Sequence, residues 1–344
     1  MKKLVYFVCL CFLLSIFATC YAENNSNLER VVVQTGWLIN GGVAAVCVAI
    51  VNGYYEEEGL EIELRPGGPS GASFIDPTIL IASDQSIDIA IDNAITGFVL
   101  AKAQDEPFKV KLIASLWQDN PMGFLIRSDS GLKSLKDLSN KKSDGSNYII
   151  GATAGSVVLQ PLAQYIGVPY EELNVIQTGT DASPFLSGQV DALFSFWTTQ
   201  AYEAEIANIP WDFLPVSEIP GMQQPSLAIL ASELTIENKP EMLEKFLRAT
   251  IRGIHFLLEN PEEAAKAVLD NRCGGPLLDI EQETWIVNRS LPLFSFDNSH
   301  DNVLFLNESM IMKFAHTLYD FEVISKKLES EDLMDFSILN FIYR

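Results

Sequence analysis

Val31-Val32-Val33-Gln34-Thr35-Gly36-Trp37-Leu38-Ile39-Asn40 is a β-branched run that breaks into a glycine-containing loop, and residues 41–58 behind it form a stretch long enough for a helix. A second strand-like run at 61–64 leads into Pro66-Gly67-Gly68-Pro69-Ser70-Gly71. Strand, loop, helix, strand is the unit of a parallel sheet covered by helices. Working outward, strand-like runs recur at 87–91, 110–114, 148–151, 175–179 and 190–193, separated by helical stretches at 94–103, 157–166 and 202–207. From about residue 238 helices take over. Asn238 and Pro240 open one, and Asn260, Pro261, Glu262 and Glu263 open the next, each with a capping side chain ahead of a proline whose missing N–H costs nothing in a first turn. In the first of these, Leu243, Phe246, Leu247, Ile251, Ile254, Leu257 and Leu258 recur at three- and four-residue intervals, so one face is buried. No repeat with a solenoid period and no low-complexity linker interrupts the pattern.

The compartment is read from the first residues. Lys2 and Lys3 precede an apolar run at 4–18 broken only by Ser15, and Cys20-Tyr21-Ala22 follows. That is the anatomy of a secretory signal peptide over residues 1–22, with small Ala22 placed for cleavage and a mature chain beginning near Glu23. A membrane span needs about 20 apolar residues, more than this run supplies. The competing reading, a lipoprotein acylated on Cys20, must accept bulky Phe17 three residues before the cysteine. Of the five cysteines, Cys9, Cys11 and Cys20 fall in the leader, leaving Cys47 and Cys273. No disulfide framework follows from two cysteines; a buried free thiol at Cys47 and a Cys47–Cys273 pair are the two readings.

The formal net charge of −22 at pH 7 argues against nucleic acid as a partner and suits a soluble exported monomer. A mature chain of about 320 residues is long enough for two lobes with separate cores.

Three segments carry a resemblance: Gly36-Trp37-Leu38-Ile39-Asn40, then Asn52-Gly53-Tyr54-Tyr55-Glu56-Glu57-Glu58-Gly59-Leu60, then Arg65-Pro66-Gly67-Gly68-Pro69. Gln85-Ser86-Ile87-Asp88-Ile89-Ala90, Ser134-Leu135-Lys136-Asp137-Leu138, Gly188-Gln189-Val190-Asp191-Ala192 and Phe246-Leu247-Arg248-Ala249 follow in order. Together they resemble solute-binding proteins of the sulfonate-binding and thiamine-pyrimidine-synthase-like superfamily, over nearly the whole mature chain. The resemblance implies an α/β architecture, the type II periplasmic-binding-protein fold. Its two lobes would be joined by a hinge around an interlobe cleft, with a helical C-terminal region. It further implies a first lobe in two parts, residues 23–120 and 225–344, and a second lobe at 121–224, with crossings near Pro121 and Gln224.

Ligands in open α/β sheets bind beyond the carboxyl ends of strands, so the loops after the expected strands are the places to search. Trp37 and Asn40 follow the first strand and can stack on and hydrogen-bond a planar ligand, or serve as core anchor and helix cap. Gly67 and Gly68 let backbone approach a ligand closely, or make a plain turn. Asp92 and Asn93 end the strand at 87–91, as edge-reading groups or as a cap for the helix that follows. Trp117 and Gln118 close the run beginning at 110. In the second lobe, Gly155 and Ser156 lie between a strand and a helix, where free N–H groups favour acceptor atoms. Pro161 leaves that helix start open, with Ser156 or Gln160 as cap. Asp181 is a cleft carboxylate or the cap of a short helix; Trp197, after Phe194-Ser195-Phe196, is a cleft aromatic or core.

The expected function is the periplasmic substrate-binding component of an ABC importer, a non-enzyme that takes a small nitrogen heteroaromatic molecule and delivers it to an inner-membrane permease. The Tyr-Tyr run and the Pro-Gly-Gly-Pro turn resemble riboflavin- and thiamine-pyrimidine-binding branches, and the candidate residues are rich in aromatics and amides and poor in Arg and Lys. Pyrimidine-binding relatives usually carry a His shortly after the Asn of the Trp loop, where this chain has Gly41-Gly42-Val43. The alternatives are a sulfonate, taurine or nitrate receptor centred on Gly155-Ser156, and an enzyme like thiamine-pyrimidine synthase. The latter is expected to need a cysteine-rich motif, a reactive Lys and that His. A lobed protein that has lost its ligand is a further reading. No metal-binding spacing, catalytic triad or cofactor motif is recognisable, His255, His300 and His316 being confined to the helical region.

Overall fold

The computed structural model describes residues 28–68, 76–295 and 302–343. The signal peptide expected at 1–22 with Cys20, and residues Pro69, Ser70, Gly71 and His300, lie outside the described residues.

Among the described residues ten strands form two five-stranded sheets. The first holds β1 (Glu29–Thr35), β2 (Leu60–Arg65), β3 (Ile89–Asp92), β4 (Val110–Trp117) and β10 (Ser226–Ser232), in the order β2-β1-β3-β10-β4. The second holds β5 (Met122–Arg127), β6 (Ile150–Ala152), β7 (Val175–Gln177), β8 (Ala192–Phe196) and β9 (Trp211–Pro215), in the order β7-β6-β8-β5-β9. The expectation of parallel sheets holds for β1, β2 and β3 and for β6, β7 and β8. It fails at β10, antiparallel to β3 and β4, and at β5, antiparallel to β8 and β9. The two reversed strands are the first after each passage between sheets, from Trp117 to Met122 and from Pro215 to Ser226. This is the two-lobed α/β architecture expected, built on mixed sheets.

The helices that matter here are α1 (Ala44–Val51), α2 (Pro77–Ser83), α3 (Thr96–Lys102), α4 (Leu159–Ile166), α5 (Gln200–Ile206), α6 (Pro240–Glu259), α7 (Pro261–Val268), α8 (Ile280–Ser290) and α9 (Glu308–Asp320). The single helix expected over 41–58 is broken. A 3-10 turn at Gly41–Val43 precedes α1, and Gly53, at φ 75°, starts a separate turn at Tyr54–Glu57. Glycine supplies that left-handed conformation without a Cβ clash. The C-terminal caps also differ from expectation: Asn238 ends the preceding helix Glu233–Asn238, and Asn260 turns its amide back to the Phe256 carbonyl, so neither side chain caps the helix that follows.

The Asn52–Leu60 motif is spent on packing against α6. Tyr55 is buried, stacks on Phe246 with ring centroids 5.3 Å apart and bonds Thr250 Oγ1 at 2.7 Å. Glu58 pairs with Arg248 at 2.9 Å, Glu57 with Arg252 at 2.6 Å, and Arg252 lies 4.1 Å from the Tyr54 ring centre. Behind it α6 crosses α1 so closely that a Cβ on Gly253 would lie 2.1 Å from the Ala45 carbonyl oxygen. Helix α8 reaches from the first lobe to the second, where Trp285 packs edge-on to Tyr202 at 5.4 Å and Arg289 lies over the rings of Trp211 and Trp285. Among the described residues no helix is long and apolar enough to cross a membrane.

The α1–α6 contact leads to a prediction. Gly253→Ala forces backbone apart in a closely packed interface, at an expected cost of about 1–3 kcal/mol, the usual range for overpacking. Urea unfolding checks it; an unchanged midpoint contradicts this packing.

Candidate functional site

Between the two sheets lies a cavity of about 350 Å³, within the range of about 300–1,000 Å³ typical of small-molecule sites. It sits over the carboxyl ends of β1, β3 and β4 on one side and of β6, β7 and β8 on the other. The first lobe contributes Thr35 to Leu38, Asn40, Gly42, Val43, Asp76, the segment 91–94, Thr96, Gly97 and Trp117. From the second come Met122, Thr153, Ser156 to Val158, Gly179, Thr180, Phe194 to Phe196 and Thr198 to Gln200. The return passage closes it with Val216, Met222, Gln224, Ser226 and Leu227.

Hydrogen bonds fix how the lobes meet. The Asn93 carbonyl accepts from Ser226 Oγ and from Asn120 Nδ2 (3.3 Å), joining the end of β3 to both passages. Asn120 Oδ1 accepts the Met122 N–H at 2.9 Å, and Gln224 Oε1 accepts the Ile95 N–H at 3.0 Å. Ser115 Oγ donates to the Ser226 carbonyl at 2.8 Å. Next to it Leu227, buried and in the cavity wall, has φ 49°. A branched residue in the left-handed region is held there against a cost of about 1–3 kcal/mol, and the bonds on both carbonyl and hydroxyl of Ser226 are what hold it.

Of the twelve residues singled out from sequence, Trp37, Asn40, Asp92, Asn93, Trp117 and Ser156 line this cavity. Asn40 also accepts the Gly42 N–H at 2.9 Å, so it is cap and wall at once. The other six lie outside the lining, each for a visible reason. Gly67 gives its N–H to the Trp37 carbonyl (3.0 Å) and Thr35 Oγ1 (3.1 Å); a Cβ there would lie 2.2 Å from the Thr35 carbonyl oxygen, so the close approach is to its own chain. Gly68, at φ 87°, packs against Leu38. Gln118 is 2% exposed and its amide donates to the Ser115 carbonyl. Gly155, at φ 71°, makes the turn before the cavity residues Ser156 to Val158. Asp181 is exposed and accepts the Ser183 N–H at 2.9 Å, although the N-cap of the turn at Ser183–Leu186 is Ala182, so Asp181 is neither cleft carboxylate nor cap. Trp197 packs on the second-lobe core cluster that holds Leu125 and Phe185. Strand β8 runs to Phe196 rather than 193, so Phe194 to Phe196 line the cavity in its place. Helix α4 begins after Val158, with neither Ser156 nor Gln160 as its cap; Pro161 then falls in the first turn, where N–H groups have no helical partner.

The walls are largely aromatic and aliphatic, with Trp37, Trp117, Phe194 and Phe196 as the ring systems. Among the described lining residues the charged side chains are two carboxylates, Asp76 and Asp92, with no Lys, Arg or His. Thr78 joins them: its N–H donates to Asp76 Oδ1 and its hydroxyl to Asp92 Oδ2, both at 2.8 Å. The N–H groups of Asn93 and Ala94 also favour the ionised Asp92 carboxylate. Burial, with the nearby negative Asp76, outweighs these bonds and pushes Asp92 up to about 7. Two glycines admit the pair, since a Cβ on Gly36 would lie 3.0 Å from Asp92 Oδ1 and one on Gly97 2.5 Å from Asp76 Oδ2. Sequence reasoning missed Asp76, because Asp-Pro is an ordinary helix start and Asp76 is indeed the cap of α2. Two buried polar atoms of lining residues, Trp117 Nε1 and Ser195 Oγ, have no hydrogen-bond partner among the described residues. Behind the wall, buried Glu283 accepts the Gly41 N–H and is pushed up to about 7 by burial.

The comparisons with known proteins agree with this geometry. The family model described as NMT1/THI5 like matches residues 40–264. The chain is 28% identical over 279 residues to the formylaminopyrimidine-binding protein of Halalkalibacterium halodurans, covering 76% of this chain and 78% of that protein. It is 27% identical over 272 residues to the 4-amino-5-hydroxymethyl-2-methylpyrimidine phosphate synthase of Legionella pneumophila, covering 78% and 80%. The periplasmic nitrate-binding protein NrtA of Synechocystis PCC 6803 superposes with a TM-score of 0.66 at 12% identity, over 92% of this chain and 88% of that one. The fold is therefore that of periplasmic solute-binding proteins.

Asp92 and Glu283 both sit above their ordinary carboxyl values, so the folded state holds protons that the unfolded chain releases. Their contribution to stability is full below about pH 4 and is lost as pH rises to about 7. The ligand-free protein is expected to melt lower at pH 7.5 than at pH 5, and the Asp92→Asn, Glu283→Gln double variant to lose most of that difference. Calorimetry at the two pH values checks it; an identical pH slope in the variant contradicts it.

Proposed function

The chain belongs to the NMT1/THI5-like family, and from that premise we propose that it is the solute-binding component of an ABC importer, holding a small nitrogen heteroaromatic molecule between its lobes. The observation that carries the reading is the cavity itself: about 350 Å³, placed over the strand ends of both sheets, walled by four aromatic rings and free of cationic side chains among its described lining. Flat apolar walls with a few placed polar groups suit a ring system. The relative named for formylaminopyrimidine binding supports a pyrimidine, and the expected riboflavin-like compounds share the flat ring and polar edge.

A sulfonate or nitrate receptor must supply positive charge or many N–H donors to an oxyanion. Here the charged groups on offer are Asp76 and Asp92, which repel it. The synthase reading needs a reactive lysine, a histidine and a cysteine-rich motif. Cys47 lies on α1 and Cys273 follows α7, while His255 and His316 lie on α6 and α9, all apart from the lining. This supports a receptor over an enzyme. The reading places the mature chain outside the cytoplasmic membrane, as a monomer, with an inner-membrane permease as its protein partner. The two passages between sheets serve as the hinge, and closure brings the rings of both lobes onto the ligand.

A thermal-shift screen with pyrimidines, riboflavin, alkanesulfonates and nitrate tests the class, since a ligand bound only by the native state raises its melting temperature. The proposal expects shifts from the heterocycles; a shift confined to sulfonates or nitrate contradicts it. Trp37→Ala is expected to weaken the selected heterocycle about tenfold through loss of stacking, with Trp197→Ala near wild type. Calorimetric titration checks both, and equal loss in the two variants counts against the cavity as the site.

A further inference from the structure

Behind the cavity wall the two cysteines of the described chain meet from different elements. Cys47 lies in the middle of α1 and is fully buried; Cys273 follows α7 and is half-buried. The Cys47 thiol hydrogen-bonds the Cys273 thiol. The turn that carries Cys273 is fixed on several sides. Its own N–H donates to the Asp270 carbonyl at 2.9 Å, and the Gly274 N–H to the Val268 carbonyl at 2.9 Å, closing the end of α7. Arg272 reaches Asp270 at 3.1 Å and Glu56, in the turn before β2, at 3.4 Å. A Cβ on Gly274 would lie 3.2 Å from the Ile39 carbonyl oxygen, so the turn also backs the loop that carries Trp37 into the cavity wall. Helix α7 itself packs along α1. Thiols that point at one another from elements already held in place meet the orientation a disulfide needs. Burial and the neighbouring Cys273 thiol hold the Cys47 thiol well above its ordinary value, with Glu283 and Asp270 adding to it. Cys47 is therefore a poor first nucleophile, and Cys273 is the thiol that solvent reaches.

We propose that Cys47 and Cys273 are joined by a disulfide in the mature chain, a covalent staple between α1 and the turn that leads to α8. The oxidant is a low-molecular-weight or protein disulfide of an oxidising compartment, and for this alone the proposal rests on placing the chain outside the cytoplasmic membrane. The Cys273 thiolate attacks one sulfur of that disulfide, forming a mixed disulfide and releasing the first thiolate. Cys47 then gives up its proton to a released thiolate and attacks the Cys273 sulfur, forming the Cys47–Cys273 bond and expelling the second. Two protein thiols are oxidised, and one external disulfide is reduced to two thiols. The linked pair has no proton left to lose beside Glu283, and joining residues far apart in sequence restricts the unfolded chain. Because α1 follows directly on the Gly41–Val43 turn, and Gly42 and Val43 line the cavity, the staple anchors that wall from behind. Neither cysteine belongs to the lining, so the link does not depend on which ligand the cavity takes.

For the test, the full mature chain is reduced, equilibrated folded with a mixture of oxidised and reduced glutathione, and then unfolded in the presence of an alkylating reagent. Mass spectrometry counts the alkylated thiols, and a non-reducing peptide map locates any link. Neither cysteine is expected to be alkylated, and the map is expected to join the peptides of Cys47 and Cys273 within one chain. The oxidised chain should melt about 5 °C or more above the reduced one. Cys47→Ala should carry glutathione on Cys273, whereas Cys273→Ser should leave Cys47 unmodified while folded, the order that the difference in burial dictates. If Cys47→Ala does not fold, the wild-type thiol count and map decide alone. Two alkylated thiols in wild type, glutathione on each cysteine separately, a link between two chains, or a linked chain that melts no higher than the reduced one overturns the staple. Each of these results leaves the receptor reading standing, since none involves the ligand.

Discussion

The carbonyl oxygen of Asn93 ties the two sheets together. Asn93 follows β3 and lines the cavity, and its carbonyl accepts hydrogen bonds from Asn120 on the outward passage and Ser226 on the return. Those two bonds place the first residues of β5 and β10 beside one another, and each strand then inserts antiparallel into its own sheet. The strand ends of both sheets are thereby brought around a common space. The left-handed Leu227, held beside Ser226, is the local cost of making that turn inside a cavity wall. A second tie lies away from the cavity, where Trp285 and Arg289 of α8 meet Tyr202 and Trp211. Any change in the angle between lobes must slide these rings over one another.

What the space can hold follows from its lining rather than from its fold. Proteins of this architecture bind ligands of opposite character, and a neighbour with a TM-score of 0.66 is a nitrate-binding protein. Here the wall is aromatic with two carboxylates, and among the described lining residues oxyanion chemistry finds no counter-charge.

The alternation of strands and helices was legible because burial imposes a period on local sequence. The reversed strands β5 and β10 were not read, since an apolar run such as 122–127 carries nothing local that states its direction; direction is set by the passage before it. The family motif at 52–60 was recognisable yet says nothing about ligand: Tyr55 and its glutamates dock α6. Half of the candidate site residues reached the cavity. The failures at Gly67, Gly68, Gly155 and Asp181 share one cause, that turning, local backbone bonding and ligand contact use the same residue types, whereas Gln118 and Trp197 are spent on burial. Asp181 and Asp76 each accept a backbone N–H two residues on, just before a Pro-containing helical turn, and only the three-dimensional packing puts Asp76 in the wall and Asp181 outside it. Trp197 and Phe196 differ by one residue, and the true end of β8 decides which of them faces inward.

The claim at the centre is that one ligand touches both lobes at once. Hydrogen–deuterium exchange, with and without the compound that most raises the melting temperature, measures this directly. Slower exchange is predicted in segments 92–97 and 226–228 of the first lobe together with 156–160 and 194–200 of the second. Protection limited to a single lobe, or found only at surfaces distant from those segments, would contradict it.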